Sequence, residues 1–428
     1  MRHLYSYLLC LAWVAASAMQ TGPPRLAIRA RRVWDGKAQA AIKDGVVLTE
    51  GTLIVAVGTN LPIPEGAQVL DLGDATVLPG LMDVHTHLLI ADLDPRDEAH
   101  QLEQIFLPLA TQGTAYRALV GAAHAKAYLE AGITTVRDLG NSGLNGDVAL
   151  RDAIRHGLVP GPRMLVSTRA LAPLGGQFPR LTREAQPLEA QEYAEVATPM
   201  EALRATREAI NDGADCIKVI VDQRNSLGAE ELKAIVGEAH RVGLKVAAHA
   251  ISPRAVDAAI AAGVDSIEHA YRLTEPQARA MAEQKIYLVP TDFPARDTPC
   301  FATTPGERTH LEAAMERARQ RLAMARRLGV PIAMGSDAYF RIGTLTRGEA
   351  ARGPLLAYTE SGFSPVDALR TATSGAADLL GLGQQVGTLE PGKVADLLAV
   401  QGDVLKDITA IEKVLLVVQG GHIVVQKP

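Results

Sequence analysis

The chain has 428 residues, of which 47% are hydrophobic and 21% charged, and its formal net charge is −5 at pH 7. A chain of this composition can bury a large core and is too polar for an integral membrane protein. Charges of both signs are interspersed and no basic stripe is present, which argues against nucleic acid as a partner and favours a small molecule. We expect one large domain and a smaller one.

The N-terminus has the pattern of a secretory signal peptide. Arg2 and His3 precede the apolar run 4–16, and Ala16-Ser17-Ala18 offers a small-x-small cleavage site. The apolar run is too short to span a bilayer comfortably. The sequence therefore predicts a signal peptide over residues 1–18, export to the periplasm or the medium, and a mature chain without an integral membrane segment.

Cysteine usage adds little to this picture. Cys10 lies within the predicted signal peptide, which leaves Cys216 and Cys300 in the mature chain. Two cysteines do not make a disulfide framework, although a bond between them stays open at this point.

Both ends of the chain after the signal peptide are rich in short strands. Glu50-Gly51 and Gly420-Gly421 are expected hairpin turns between them. Since β-rich ends flank a long middle, we expect one discontinuous β domain built from residues 19–76 and 385–428. The predicted strands cover residues 26–31, 45–48, 52–58, 76–78, 395–400, 414–418 and 422–425.

The middle of the chain, residues 77–384, repeats one unit. An Ala/Glu/Arg-rich helical segment is followed by a glycine suited to the helix C′ position, a short β-branched strand and a polar residue. Three further strands, the one that ends at His85 and those at 163–168 and 285–290, bring the expected number to eight. Eight such strands favour a (β/α)8 barrel over a doubly wound open sheet. The five clearest units cover residues 132–138, 213–218, 243–249, 263–269 and 329–337.

His85 and His87 end the first of these strands. Side chains at i and i+2 leave a strand by the same face, so both imidazoles can converge on one point. Two ligands are fewer than the four that a zinc-like ion usually takes, and a polar loop is the competing interpretation. The remaining strands decide between them.

Polar residues end several of the other strands as well. In isolation, His249 or His269 could be a core histidine, and Asp337 could cap a helix. Their recurrence at one structural position predicts that they face a single cavity at the C-terminal rim of the barrel. The predicted set is His85, His87, Lys218, His249, His269 and Asp337.

Lys218 stands between apolar neighbours in a strand that should be buried on both faces. Desolvation lowers the pKa of a buried lysine, and a neutral amine is a nucleophile. Such an amine can add carbon dioxide, which gives an anionic carbamate able to bridge two metal ions. The alternative is an ordinary ion pair between Lys218 and a carboxylate inside the barrel.

These features together resemble the metal-dependent amidohydrolase superfamily, in its imidazolonepropionase-like and Xaa-Pro dipeptidase-like branch. The resemblance spans nearly the whole mature chain and implies a TIM-like barrel with a small β-sandwich formed by the two chain ends. The motifs that carry it are PGLMDVHTH (79–87), GITTVRDLG (132–140), GADCIK (213–218), VAAH (246–249), SIEH (266–269), GSD (335–337) and GTLEPGKVADL (387–397).

The resemblance also implies roles for the six residues. His85, His87 and Asp337 would bind a buried metal ion, His249 and His269 a more exposed one, and carboxylated Lys218 would bridge the two. Divalent ions, with zinc as the default, would supply a bridging hydroxide that attacks the carbonyl carbon of an amide. Asp337 would be the catalytic residue that carries the proton to the leaving nitrogen.

Two loops depart from the family pattern. Leu174-Gly-Gly-Gln177 has Gln177 where many dipeptidase-like relatives carry histidine, and the loop 221–226 is short. A dipeptide is therefore in doubt as the substrate, and an N-acyl amino acid is the other expectation. The nominated substrate contacts are Tyr271, Arg272, Arg224, Tyr339 and Arg341, which follow the predicted strands.

Other functions remain in competition. A one-metal deaminase on the same barrel would usually have glutamate at the position of Ser252, and it would not need Lys218 as a bridge. A cyclic-amide hydrolase of the imidazolonepropionase type is a further alternative, whereas a non-catalytic scaffold would lack part of the ligand set. The sequence does not specify whether the chain forms a homo-oligomer.

Overall fold

The computed structural model describes residues 23–96, 101–222 and 225–427. The predicted signal peptide and the nominated Arg224 lie outside these residues. Among the described helices, none combines the length and the apolarity needed to cross a bilayer.

The described chain begins and ends with strands, and strands alternate with helices between them. The strands are β1 (Arg25–Val33), β2 (Ile42–Glu50), β3 (Leu53–Thr59), β4 (Gln68–Asp71), β5 (Ala75–Pro79), β6 (Leu81–Thr86), β7 (Ile133–Asp138), β8 (Arg163–Val166), β9 (Ala170–Ala172), β10 (Tyr193–Glu195), β11 (Cys216–Ile220), β12 (Lys245–Ala250), β13 (Ser266–His269), β14 (Tyr287–Val289), β15 (Leu397–Gln401), β16 (Val414–Gln419) and β17 (His422–Gln426). The helices are α1 (Gln101–Thr111), α2 (Thr114–Glu130), α3 (Gly146–Arg155), α4 (Gln186–Glu189), α5 (Pro199–Asn211), α6 (Ala229–Arg241), α7 (Pro253–Ala262), α8 (Glu275–Gln284), α9 (Thr298–Phe301), α10 (Pro305–Arg327), α11 (Arg347–Ala350), α12 (Gly353–Glu360), α13 (Pro365–Thr371) and α14 (Ser374–Leu380).

The two chain ends share one eight-stranded sheet. Its order is β17-β16-β15-β5-β1-β2-β3, and β4 pairs with β1. The ends meet where β15 runs antiparallel to β5, with Leu398 opposite Leu78. Because β5 reaches Pro79, the sheet extends past the predicted boundary at residue 76. A division of this sheet into the two packed layers of a sandwich stays a prediction.

In the described part of the middle of the chain, the named strands pair with one another in parallel. They form a three-stranded sheet, β6-β7-β8, and a six-stranded sheet, β10-β9-β11-β12-β13-β14. The backbone N–H of Asp215 donates to Val166 O at 2.7 Å and so links the two sheets beside β8. Such alternation of helix and parallel strand is typical of a barrel or a doubly wound sheet. Closure into eight strands stays a prediction that these contacts favour.

The predicted eighth strand, 329–337, is largely irregular. The segment is hydrogen-bonded to a strand on each side. Leu288 N of β14 donates to Pro331 O, and Val84 N of β6 donates to Met334 O, each at 2.9 Å. Pro331 has no N–H to donate, which limits the ladder to an isolated bridge between Leu288 and Ile332. The segment therefore lies between β14 and β6 without forming a regular strand.

Local signals explain where the repeated helices end. Gly263 follows α7 with φ +77°, and Gly213 has φ +97°, a backbone conformation that side chains with a Cβ rarely adopt. The strands after these glycines are buried along their whole length. Cys216 and Cys300 are both free thiols, so the disulfide left open above is not formed.

Candidate metal centre

One cavity of about 320 Å³ collects the whole predicted ligand set. β6 delivers His85, with His87 two residues further, and β11 and β12 deliver Lys218 and His249. His269 is the last residue of β13, and Asp337 follows the segment 331–334. All six side chains line the cavity: His85, His87, Lys218, His249, His269 and Asp337.

Asp337 lies among three imidazoles. Its Oδ1 is 3.3 Å from His87 Nε2 and 3.8 Å from His85 Nε2, and its Oδ2 is 3.9 Å from His269 Nδ1. One ligand atom each from His85, His269 and Asp337 can be chosen within 4.8 Å of one another. The fourth imidazole, that of His249, has its ring centroid 4.7 Å from that of His269. These distances place the predicted ligands of the two metal ions side by side.

Two of these residues have an unusual backbone. His269 has φ +70° and Asp337 has φ +50°, although neither is glycine. Such conformations are sparsely populated and concentrate at functional sites. Hydrogen bonds hold them, since Arg321 Nη1 donates to the carbonyl of His269 and Asp337 N donates to the carbonyl of His85 at 2.9 Å.

Buried hydrogen bonds orient the first two histidines. His85 Nδ1 donates to Glu268 Oε2 at 2.6 Å, and the other oxygen of Glu268 accepts from Arg137 Nη2 at 2.9 Å. His87 Nδ1 donates to the carbonyl of Gly140 at 3.0 Å. Because Nδ1 carries the proton in both rings, Nε2 is left as the lone-pair donor on the cavity side. This is how proteins orient histidines that ligate metal.

The site favours neutral imidazoles beside an anionic carboxylate. Burial, with the nearby Lys218 charge, lowers the pKa of His85 to about 4 and that of His249 to about 3. Burial alone would raise the pKa of Asp337, but His85, His87 and Lys218 around it keep that pKa below its usual value. His87 is the exception, since Asp337 raises its pKa although burial opposes this. Neutral histidine and ionised aspartate are the ligand forms that a metal ion needs.

Lys218 has no carboxylate partner. Its side chain is buried, burial lowers its pKa to about 8, and its Nζ takes part in no hydrogen bond or ion pair among the described residues. Glu268 is committed to Arg137 and His85 instead. The interior ion pair that competed with a carbamate is therefore absent from the described contacts, and the amine is free to react.

Two buried atoms without a hydrogen-bond partner indicate whether the site suits a metal ion. Within the described part of the chain, His249 Nε2 and Asp337 Oδ1 are buried and lack a hydrogen-bond partner. An unsatisfied buried polar atom costs about 1–3 kcal/mol, so such atoms need an explanation. Bound divalent cations would satisfy both atoms, and the nitrogen and oxygen donors suit zinc-like ions. The residues present fit the implied metal centre.

The nominated substrate contacts separate into groups. Tyr271 and Tyr339 line the cavity, and the Tyr339 ring lies 6.0 Å from that of His87. Arg272 lines a neighbouring cavity instead, and Arg341 is exposed, with its backbone N–H bonded to Leu93 O. Arg224 is outside the described residues. The part that any of them plays in substrate binding stays a prediction.

Other contacts at the site were not predicted. Glu268 and Arg137 are fully buried charged residues in short strands. A charge within a buried strand requires a partner, and this was the signal from which their pairing could have been predicted. Asp222 accepts from the backbone N–H of Ser252 at 2.7 Å and lies 3.9 Å from His249 Nε2.

Gln177, the departure from the family pattern, also reaches the site. Its Nε2 is 3.5 Å from His249 Nδ1, and its Oε1 accepts from the Tyr193 hydroxyl at 3.2 Å. The side chain therefore takes part in the wall of the cavity.

Comparisons with known proteins agree with this geometry. A model of the amidohydrolase family matches residues 76–424. The ochratoxinase of Aspergillus niger is 28% identical over 415 residues, covering 87% of this chain and 80% of the relative, and the imidazolonepropionase of Deinococcus deserti is 26% identical over 414 residues, covering 91% and 94%.

Solved structures show the same likeness. The crystal structure of a Xaa-Pro dipeptidase with bound methionine in the active site has a TM-score of 0.80 and 29% identity, and the match covers 93% of this chain and 99% of that one. These matches imply a TIM-barrel fold and confirm the resemblance to this branch. Since the family model spans most of its length, the chain belongs to the amidohydrolase family and is a hydrolase of carbon–nitrogen bonds.

Proposed function

We propose that this chain is a binuclear metal-dependent amidohydrolase that cleaves an amide bond in a small substrate such as an N-acyl amino acid or a dipeptide. One observation carries the proposal. Buried imidazoles, an anionic Asp337 and the amine of Lys218 line one cavity, and two of their ligand atoms lack a hydrogen-bond partner among the described residues. Ochratoxinase and Xaa-Pro dipeptidase relatives support the assignment to amide bonds.

Each residue of the set has a place in the proposed centre. His85, His87 and Asp337 would hold one ion, His249 and His269 the other, and Lys218 as its carbamate would bridge them. Bound divalent ions, with zinc as the default, polarise a carbonyl and lower the pKa of water toward about 7.

Asp337 carries the proton in the proposed reaction. Its Oδ1 is buried and lacks a hydrogen-bond partner, and its lowered pKa keeps it ionised at neutral pH. As an ionised carboxylate it can take the proton that a water molecule releases when its oxygen attacks the carbonyl carbon. The acid formed in this way is strong enough to pass the proton to the leaving nitrogen, which completes the exchange.

Part of the remaining cavity lining is apolar or aromatic. Its lining includes Ile105, Phe178, Ile220 and Ile251, and the Phe178 and Tyr193 rings lie 5.3 Å apart. Apolar and aromatic walls of this kind favour a substrate with a hydrophobic part next to the amide. No arginine is found in the lining within the described ranges.

Deamination on a single metal is the competing reaction. Ser252, at the position where such enzymes usually have glutamate, caps α7 by accepting from the backbone N–H of Ala255. The residue thus serves as a helix cap, and a serine hydroxyl is a far weaker acid than the glutamic acid that such deaminases use as proton donor. This observation favours hydrolysis.

A substrate screen tests the proposed function. The purified, metal-loaded protein is incubated with N-acyl amino acids, dipeptides and cyclic amides, and release of amine, carboxylate and ammonia is measured. The proposal predicts a free amine and a carboxylate from a linear amide. Ammonia as the only product would instead show a deaminase, and turnover restricted to cyclic amides would show an imidazolonepropionase-like hydrolase.

We further propose that residues 1–18 direct export and that residues 77–384 form a closed (β/α)8 barrel. The discontinuous β domain of 19–76 and 385–428 would pack as a sandwich beside it. The small-x-small site at 16–18 supports the first point, and the parallel strand pairs support the second.

A further inference from the structure

A second cavity, of about 390 Å³, lies next to the metal centre. Tyr271 lines both cavities and so belongs to the wall between them, and Thr291 lines the second cavity beside it. The volume falls within the range of about 300–1,000 Å³ that is usual for small-molecule sites. None of the proposed metal ligands lines this second cavity.

The second cavity has an apolar interior. Leu311, Met315 and Ala318 on α10, with Phe293 and Ala357, supply carbon surface to it. Ala318 is only partly buried and is not packed into the hydrophobic core, so the cavity does not arise from a core defect. Transfer of an apolar part of a ligand from water into this space would be favourable.

Unpaired cations stand at the same cavity. Arg272 and Arg317 are exposed there and make no ion pair among the residues that the structure describes. Both acids of the lining are engaged. Asp292 pairs with the buried Arg321 at 2.6 Å, and Glu360 accepts from the backbone N–H of Ala295 at 3.0 Å. A guanidinium without a partner is a strong donor for a carboxylate.

The shared wall connects this cavity to a proposed metal ligand. Thr291 Oγ1 lies 2.8 Å from His269 Nδ1 and 3.1 Å from the Tyr271 hydroxyl. Arg321 lies 5.3 Å from the centre of the Tyr271 ring and also donates to the His269 carbonyl. A molecule that packs against Tyr271 therefore acts on two groups that hold His269.

We propose that the second cavity is a separate binding site for an apolar monocarboxylate, and that its occupancy changes turnover at the metal centre through Tyr271, Thr291 and His269. The apolar body packs against α10 and the carboxylate binds Arg272 and Arg317. Coupling between two sites typically changes affinity about 5–150-fold, and it is reciprocal. The binding part is independent of the proposed function, whereas the change in turnover rests on it.

Titration calorimetry with octanoate tests the binding part. The full-length protein should bind octanoate at one site, also after its metal has been removed, and should bind 1-octanol and octylamine much more weakly. Ala318→Phe fills the cavity and should weaken binding at least about tenfold. Ala323→Phe, the same change on the exposed face of α10, should leave binding unchanged.

The other outcomes overturn the proposal. Equal affinity in Ala318→Phe would show that octanoate binds elsewhere, and loss of binding on metal removal would make it a ligand of the metal centre. In the active enzyme, saturating octanoate should change kcat or KM about fivefold or more in the wild type but not in Ala318→Phe. Binding without this change would refute the coupling, while a protein with no activity at all would contradict the proposed function and leave the calorimetric result in place.

Discussion

Glu268→Gln should weaken metal binding, although Glu268 does not contact the ligand atoms that face the cavity. It acts through His85, whose Nδ1 it holds. The carboxylate accepts from His85 Nδ1 at 2.6 Å, from Arg137 Nη2 at 2.9 Å and from Ser266 Oγ at 2.6 Å. It is fully buried, and although burial alone would raise its pKa, Arg137 and His85 lower that pKa to about 2. Three donors thus converge on one buried anion.

The amide can satisfy only part of this set. Its single oxygen accepts from Arg137 or from His85, and its NH₂ group faces the other donor. Losing one member of a buried ion pair costs about 3–5 kcal/mol of stability. Losing the partner that orients a metal-binding histidine costs about 10–100-fold in metal affinity. We expect both effects in Glu268→Gln.

The matched control is Glu192→Gln. Glu192 is as buried as Glu268 and pairs with Arg117 at 2.5 Å, but it makes no hydrogen bond to a histidine. Chelator competition measures metal affinity, and urea unfolding of the metal-free protein measures stability. Glu192→Gln should lose stability and retain metal affinity. Unchanged affinity in Glu268→Gln, or equal losses of affinity in both variants, would refute the assigned role of Glu268.

Three further substitutions test the site, and a fourth serves as a control. Asp337→Asn should reduce kcat by about 10²–10⁴-fold with little change in KM, because it removes the proton carrier; a variant that keeps its metal and most of its kcat would contradict the role. Gly335→Ala places a Cβ 2.4 Å from Val289 and 2.6 Å from the His85 Cβ, so it should cost about 1–3 kcal/mol in urea unfolding and weaken metal binding. Gly237→Ala, which meets nothing within 4 Å in the interior of α6, should instead stabilise by about 0.5–1 kcal/mol. Gln177→Ala should raise KM more than it lowers kcat in steady-state assays, and an equal effect on both would place Gln177 in the chemical step.

The repeated strands could be predicted from the sequence because their signals are local. A glycine suited to the helix end and a short β-branched run mark β11 and β12, which deliver Lys218 and His249. Pro331 breaks the eighth unit, since a missing N–H outweighs the hydrophobic pattern. The short strands β4, β9 and β10 were not predicted, because the helix–glycine signal of the repeated unit does not precede them.

The contacts that orient the site could not be predicted in the same way. Arg137 and Glu268 are 131 residues apart in the chain, so no local spacing relates them. The positive φ values of His269 and Asp337 also follow from tertiary hydrogen bonds, to Arg321 and to the carbonyl of His85, respectively. Residue types at strand ends predict the ligand set, whereas their orientation depends on the assembled fold.

Metal content per chain tests the central claim most directly. Elemental analysis of the purified wild-type protein and of Lys218→Ala compares a centre that can form a bridging carbamate with one that cannot. We predict about two divalent ions per chain in the wild type and one or fewer in Lys218→Ala, as expected for a binuclear zinc-type site. One ion per chain in the wild type, or two in both proteins, would contradict a binuclear centre bridged by Lys218.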